Sequence, residues 1–172
     1  MNDQASLFDF KVTTAVDNTA MLKAAMATLR RRMVVVGYPE DKNVSRRGGG
    51  ITNASLAYIQ DKGSPARNIP PRPFLQPGVE AVELPVQKRL AQGARAALDG
   101  DEAGVDKSLN AAGLTAQAGV RGFITNGNFA PLKPSTIKGR QRKGFAGTKP
   151  LIVTGQLRNA VNYSLRNRRG GE

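Results

Sequence analysis

The chain has 172 residues, of which 26 are Lys or Arg and 13 are Asp or Glu, and its formal net charge is +13. It contains neither Cys nor His, so disulfides, thiolate zinc sites and the most common general base are excluded. We therefore expect a protein that is not an enzyme and that holds no cofactor and no metal. The length suits one domain, residues 1–172, with a hydrophobic core.

Positive charge is concentrated in the final third of the chain. The span from Lys107 to Gly171 holds twelve Lys or Arg and no Asp or Glu. This imbalance predicts a negatively charged neighbour, either nucleic acid or acidic protein, with a merely well-solvated basic surface as the alternative. The start of the chain carries Asp3 and Asp9, and no run of about 18 apolar residues follows. We accordingly expect a soluble protein made in the cytoplasm, with no membrane partner.

The first third predicts a strand, a helix and a second strand. Alternation in Phe8–Val16 favours the first strand, and apolar residues recur at helical spacing after Asp17, which would cap the helix. The β-branched segment Met33–Tyr38 predicts a buried strand that pairs with the first. Residues 43–50 contain three consecutive glycines and predict a flexible loop.

A helix that begins at Thr52 or Asn53 and ends at Gly63 is predicted next. It leads into a segment that we call the proline arm, residues 64–77. Four prolines within Asn68–Pro77 of this arm fix φ and remove backbone donors, so we expect an extended, semi-rigid segment that carries Phe74 and Leu75.

Two longer helices follow the proline arm. The first, within 79–98, should break near Pro85; the second, within 109–124, contains glycines that close packing against a neighbour would explain. A basic loop region, 126–149, includes a short helical turn capped by Ser135 or Thr136.

A turn capped by Thr154, a final strand within 160–165 and a disordered tail, 167–172, complete the chain. The predicted fold class is α+β: a small antiparallel or mixed sheet of about four strands packed by two or three helices, with an extended Pro-rich arm and long loops.

Three sequence islands in order resemble one known family. They are VGYPE at Val36–Glu40, NIPPRPFLQP at Asn68–Pro77, and PSTI with KPLIVTGQLRNAVNY within Pro134–Tyr163. In this family the arm follows a helix that ends in an acidic residue and a glycine, and Asp61 occupies the acidic position here. The chain is thus similar to the neck or tail-completion proteins of tailed bacteriophages, the family of minor tail protein Z. The islands cover about a quarter of the chain and run from residue 36 to 163.

The resemblance implies a structural virion protein of the phage neck, made in the host cytoplasm. Such a protein would have a small sheet packed by helices and would assemble with itself into a ring, which the resemblance implies to be sixfold. Its partners would be the head-side connector or stopper and the tail terminator or tube proteins, with non-specific contact to genomic DNA in the channel.

Two sets of residues are predicted to make these contacts. We expect the arm to dock on a neighbouring subunit, although Phe74 could instead fold into its own core. The basic set should face acidic neighbouring rings or DNA. An alternative function is a nucleic-acid-binding protein that acts on the phosphate backbone, although few aromatic residues accompany the basic clusters. The arm set is Ile69, Arg72, Phe74 and Leu75, and the basic set is Arg46, Arg47, Lys138, Arg140, Arg142 and Lys143.

Overall fold

A computed structural model describes residues 18–39 and 50–168 of the chain. Helices dominate this part, and the longest contains 25 residues. The elements in chain order are α1 (Thr19–Arg31), β1 (Arg32–Gly37), α2 (Asn53–Lys62), a 3₁₀ turn (Pro65–Arg67), α3 (Leu75–Glu80), α4 (Glu83–Leu98), α5 (Glu102–Asn126), α6 (Pro134–Arg142), α7 (Gln156–Asn159) and β2 (Asn162–Asn167).

The predicted sheet of about four strands is wrong for the part of the chain that the structure describes. The sheet there has two strands, β1 and β2, which pair antiparallel with Val35 opposite Ser164. The predicted partner of β1, Phe8–Val16, lies outside the described residues. Most β1 side chains are half-buried rather than buried, since helices cover one face of a two-stranded ribbon incompletely. The layer that a larger sheet would have supplied is instead helical.

A helical hairpin of α4 and α5 forms that layer. Pro85 lies in the first turn of α4, where a proline removes no intrahelical hydrogen bond, and this confirms the predicted break. The side chain of Asp101 accepts a hydrogen bond from the Gly104 N–H at 2.8 Å and caps α5, which begins seven residues before the predicted 109. A Cβ on Gly119 would lie 2.5 Å from the Gly78 carbonyl oxygen. Gly119 therefore marks close packing of α5 against α3, as predicted, whereas a Cβ on Gly122 would meet nothing within 4 Å.

The main hydrophobic core lies where α5 meets α2, the arm and the segment around α7. Its buried residues are Ala57, Phe74, Val120, Ile124, Leu151, Leu157 and Val161. A smaller cluster lies between α1, α4 and α5 and contains Ala25, Ala97, Val105 and Leu109. Both clusters use α5, so this helix organises the whole described fold.

The predictions for α1, β1, α2 and the last strand are confirmed in place and type. Several caps differ. Asp17 lies outside the described residues, and α6 begins with Lys133 as N-cap and Pro134 after it, rather than with Ser135 or Thr136, because proline suits the first helical position. Gly155, not Thr154, precedes α7, in a left-handed conformation (φ 75°) that favours glycine.

Parts of the proline arm are helical. Its beginning forms a 3₁₀ turn closed by a bridge between Ser64 and Ile69, and its end is the first turn of α3, which accommodates Pro77. Residues 70–74, between these two parts, belong to neither a helix nor a strand. Among the described helices none is long and apolar enough to cross a membrane.

Candidate protein-interaction site

The three sequence islands meet around Tyr38. The rings of Tyr38 and Phe74 pack edge to face with centroids 6.5 Å apart. The Tyr38 hydroxyl donates a hydrogen bond to the Leu157 carbonyl oxygen at 3.0 Å, across 119 residues of sequence. Each of these residues belongs to a different island. The islands therefore build one packing unit rather than three separate local structures.

Asp61 anchors the arm to this unit. Its carboxylate accepts hydrogen bonds from the backbone N–H groups of Phe74, at 2.9 Å, and Leu75, at 3.3 Å. It also pairs with Lys62 at 3.4 Å. Burial, and then the nearby charge of Asp61, raises the pKa of Tyr38 well above its ordinary value. Tyr38 therefore stays protonated, and keeps donating to Leu157, to a higher pH than an exposed tyrosine would.

The structure places the predicted arm residues in two different environments. Phe74 is 0% exposed in the core of its own chain, the alternative that sequence analysis left open, and Leu75 packs half-buried against that core. Ile69 and Arg72 instead line a cavity of about 400 Å³. In this conformation the arm forms one wall of the cavity, and the side chain of Phe74 is not available to a neighbouring subunit.

Arg72 is a buried cation in the wall of this cavity, with only 5% of its surface exposed. Its Nε donates to the Ala130 carbonyl oxygen at 2.8 Å and its Nη2 to that of Pro131 at 3.2 Å. A longer contact of 3.5 Å joins Nη1 to the side chain of Gln60. Burial lowers the pKa of Arg72, since desolvation disfavours the charged form. Arg72 thus fixes the segment before α6 onto the arm.

Arg140 is a second cation in the wall of the cavity, and it belongs to α6. Its Nη1 lies within hydrogen-bond distance of the Lys149 carbonyl oxygen at 2.9 Å and of those of Gly147 and Ile152, each at 3.1 Å. Burial, and then the positive charge of Arg72, lowers the pKa of Arg140. Within 18–39 and 50–168 neither arginine forms an ion pair with a carboxylate. The two guanidinium groups therefore repel each other without local neutralisation.

We call this cavity the arginine pocket. Its described lining contains three cations and no carboxylate. Most of the remaining wall is apolar and includes Leu56, Ile69, Pro70, Leu132, Leu151, Val153 and Leu157. Its polar wall residues are Gln60, Asn68, Arg72, Lys133, Thr136, Arg140, Thr154 and Gln156. Apolar walls around unneutralised cations suit a ligand that combines an anionic group with apolar side chains.

The structure separates the predicted basic set. Arg140 belongs to the pocket, whereas Lys138, Arg142 and Lys143 are exposed on and just after α6. Arg46 and Arg47 lie outside the described residues. No group of three or more acidic residues in the described part is arranged to hold a metal ion.

Sequence analysis missed the structural role of Arg72 and Tyr38. A signal for Arg72 was present, because arginine within a proline-rich apolar segment is an unusual position for an exposed charge. Nothing in the local sequence pointed to the contact between Tyr38 and Leu157, since the two residues are distant along the chain.

Comparison with protein-family models gives no match, and comparisons with curated proteins and with solved structures give none either.

Proposed function

We propose that this protein is a structural component of a tailed-bacteriophage neck, a ring that joins the head connector to the tail around the DNA channel. The observation that carries the proposal is that Tyr38 contacts both Phe74 and Leu157, so that one residue joins the three islands. A resemblance made of three islands has more weight when the islands form one packed unit, because such a unit constrains all three together. This convergence supports the family resemblance, on which the proposed function depends.

A ring protein needs two complementary surfaces for its own copies. The arginine pocket is one candidate surface. Another is an exposed apolar face on α1, where Met21, Leu22 and Met26 are 51%, 50% and 54% exposed. Apolar side chains clustered on a surface often mark protein interfaces. These features favour self-assembly, with the head-side stopper and the tail terminator or tube as axial neighbours.

The exposed basic residues on and just after α6 fit this proposal as contacts to acidic neighbouring rings. A channel surface that bound DNA tightly would retard passage of the genome, so we assign Lys138, Arg142 and Lys143 mainly to protein partners. Non-specific contact with DNA remains a minor role in this proposal. The virion neck is the corresponding location.

Mass photometry of the purified protein tests the proposed function. We expect a closed oligomer, with six copies as the family resemblance implies, whose mass is the same at about 50 mM and 300 mM salt, because apolar contacts are not screened. A protein that stays monomeric at both salt concentrations, and that fails to appear between head and tail in electron micrographs of the particle, would contradict the proposal.

A second candidate function is binding to the phosphate backbone of nucleic acid. The observation that favours it is the exposure of Lys138, Arg142 and Lys143 on one short segment. Phosphate binding weakens steeply with salt, by roughly 10³-fold or more between 50 and 200 mM for six or more contacts. A monomer that shifts only with duplex DNA and loses it at 300 mM salt would favour this function over the ring.

A further inference from the structure

The arginine pocket has donors that the described residues do not use. Only Nη1 of Arg140 reaches described acceptors, which leaves the N–H groups of its Nε and Nη2 for a ligand. Lys133 adds a third positive charge at the rim. A buried or half-buried cation without a counter-ion is energetically unfavourable, so an anion that entered the pocket would be stabilised by charge-assisted hydrogen bonds.

The walls decide which kind of anion fits. No aromatic side chain lines the described pocket, so a nucleic-acid base would find no stacking surface there. The leucine, isoleucine, valine and proline side chains would instead gain by covering apolar groups. A carboxylate flanked by large apolar side chains satisfies both requirements. This description fits an acidic and apolar peptide segment, not a sugar–phosphate backbone.

One segment of the chain has this composition. Asp9 lies in the tetrapeptide Leu7–Phe10, LFDF, and is the only acidic residue of the chain with an aromatic residue on both sides. No Lys or Arg precedes Lys11. The segment belongs to residues 1–17, outside the described part, and 17 residues can reach roughly 58 Å when extended. It can therefore reach a neighbouring copy from the start of α1.

We propose that the arginine pocket of one subunit binds the Leu7–Phe10 segment of a second copy of the chain. Asp9 lies against Arg140 and Lys133, and the two phenylalanines cover the apolar wall beside Ile69. The inference rests on the proposed ring only in requiring that copies meet. This reverses the role predicted for the arm from the sequence. The arm lines the binding pocket of one subunit and is not the segment that inserts into the next subunit.

Cysteine cross-linking tests this proposal directly, because the chain has no cysteine of its own. One preparation carries F10C and the other carries T136C, at a position that lines the pocket. After mixing and mild oxidation we expect a disulfide-linked heterodimer in at least about fivefold higher yield than with S135C. Ser135 is the matched control, since it neighbours Thr136 on α6 but does not line the pocket.

A charge test in the same assay checks the role of Asp9. K133E in the T136C chain should lower the cross-link yield about fivefold or more, and D9K in the F10C chain should restore part of it. K138E, an exposed charge reversal on the same helix, should leave the yield unchanged. Thermal unfolding of each variant verifies that the fold is retained. Equal effects of K133E and K138E would overturn the proposal.

Other outcomes have definite meanings. A chain that carries both F10C and T136C and forms only an intrachain link overturns the binding between copies. Duplex DNA that protects T136C from maleimide, with no cross-link to F10C, assigns the pocket to phosphate and also overturns it. If rings form without the cross-link, the proposed function stands and this inference is refuted. If copies cross-link but never form rings, this inference stands and the proposed function is refuted.

Discussion

The carboxylate of Asp61 accepts a hydrogen bond from the backbone N–H of Phe74 at 2.9 Å, across 13 residues of sequence. It accepts a second hydrogen bond from Leu75, so one side chain fixes the point where the extended arm becomes α3. Asp61 is 8% exposed and is the second-last residue of α2. The relationship explains why an acidic residue at the end of α2 precedes the arm.

Replacing Asp61 with Ala should destabilise the protein strongly. The substitution leaves the buried N–H of Phe74 without an acceptor, and we expect the free energy of unfolding to fall by about 1–3 kcal/mol. Urea denaturation measures the change. Asp99→Ala is the control, since Asp99 is exposed at the end of α4 and should change stability by less than about 0.5 kcal/mol. Equal effects of the two substitutions would refute the anchoring role.

Tyr38 should make stability fall at alkaline pH. Its folded pKa is raised above the unfolded value of about 10, so the unfolded chain loses this proton first. The contribution of Tyr38 to the free energy of unfolding is complete below pH 10. It is lost as the pH rises above 10, at up to about 1.4 kcal/mol per pH unit. Denaturation at pH 8 to 11 measures the slope. Tyr38→Phe should flatten it relative to the unsubstituted chain, and parallel slopes would contradict the assignment.

Arg72→Ala should cost far more stability than truncation of a neighbouring arginine. Loss of Arg72 leaves the carbonyl groups of Ala130 and Pro131 without their donor, and we expect a decrease of about 2–4 kcal/mol in the free energy of unfolding. Hydrogen exchange should also accelerate in the segment before α6. The matched control is Arg67→Ala, in the same arm but exposed, with an expected change below about 0.5 kcal/mol. Similar losses in both variants would argue against the buried role.

Two glycines of α5 should respond in opposite directions to alanine. At Gly119 a Cβ would lie 2.5 Å from the Gly78 carbonyl oxygen and from a Val82 methyl, so Gly119→Ala should destabilise by about 1–3 kcal/mol. At Gly122 a Cβ meets nothing within 4 Å, and Gly122→Ala should stabilise by up to about 1 kcal/mol through helix propensity. Thermal unfolding measures both. A stabilising Gly119→Ala would mean that α3 and α5 pack less closely.

Several elements followed from local sequence alone. Helical spacing of apolar residues, the Thr52 cap and Gly63 placed α1 and α2, and Pro85 placed the start of α4. These signals act over a few residues, because capping bonds, φ restriction by proline and one-sided burial are local effects. The charge imbalance and the lack of Cys and His likewise needed no structure.

The tertiary structure alone decided the size of the sheet and the environment of the arm. Prolines predicted an extended arm, yet they could not tell whether Phe74 points outward or into the core, where it meets Tyr38. The pocket around Arg72 and Arg140 likewise depends on residues 68 positions apart in sequence. Local pattern determines backbone conformation, whereas burial and charge neutralisation depend on which distant side chains the fold brings together.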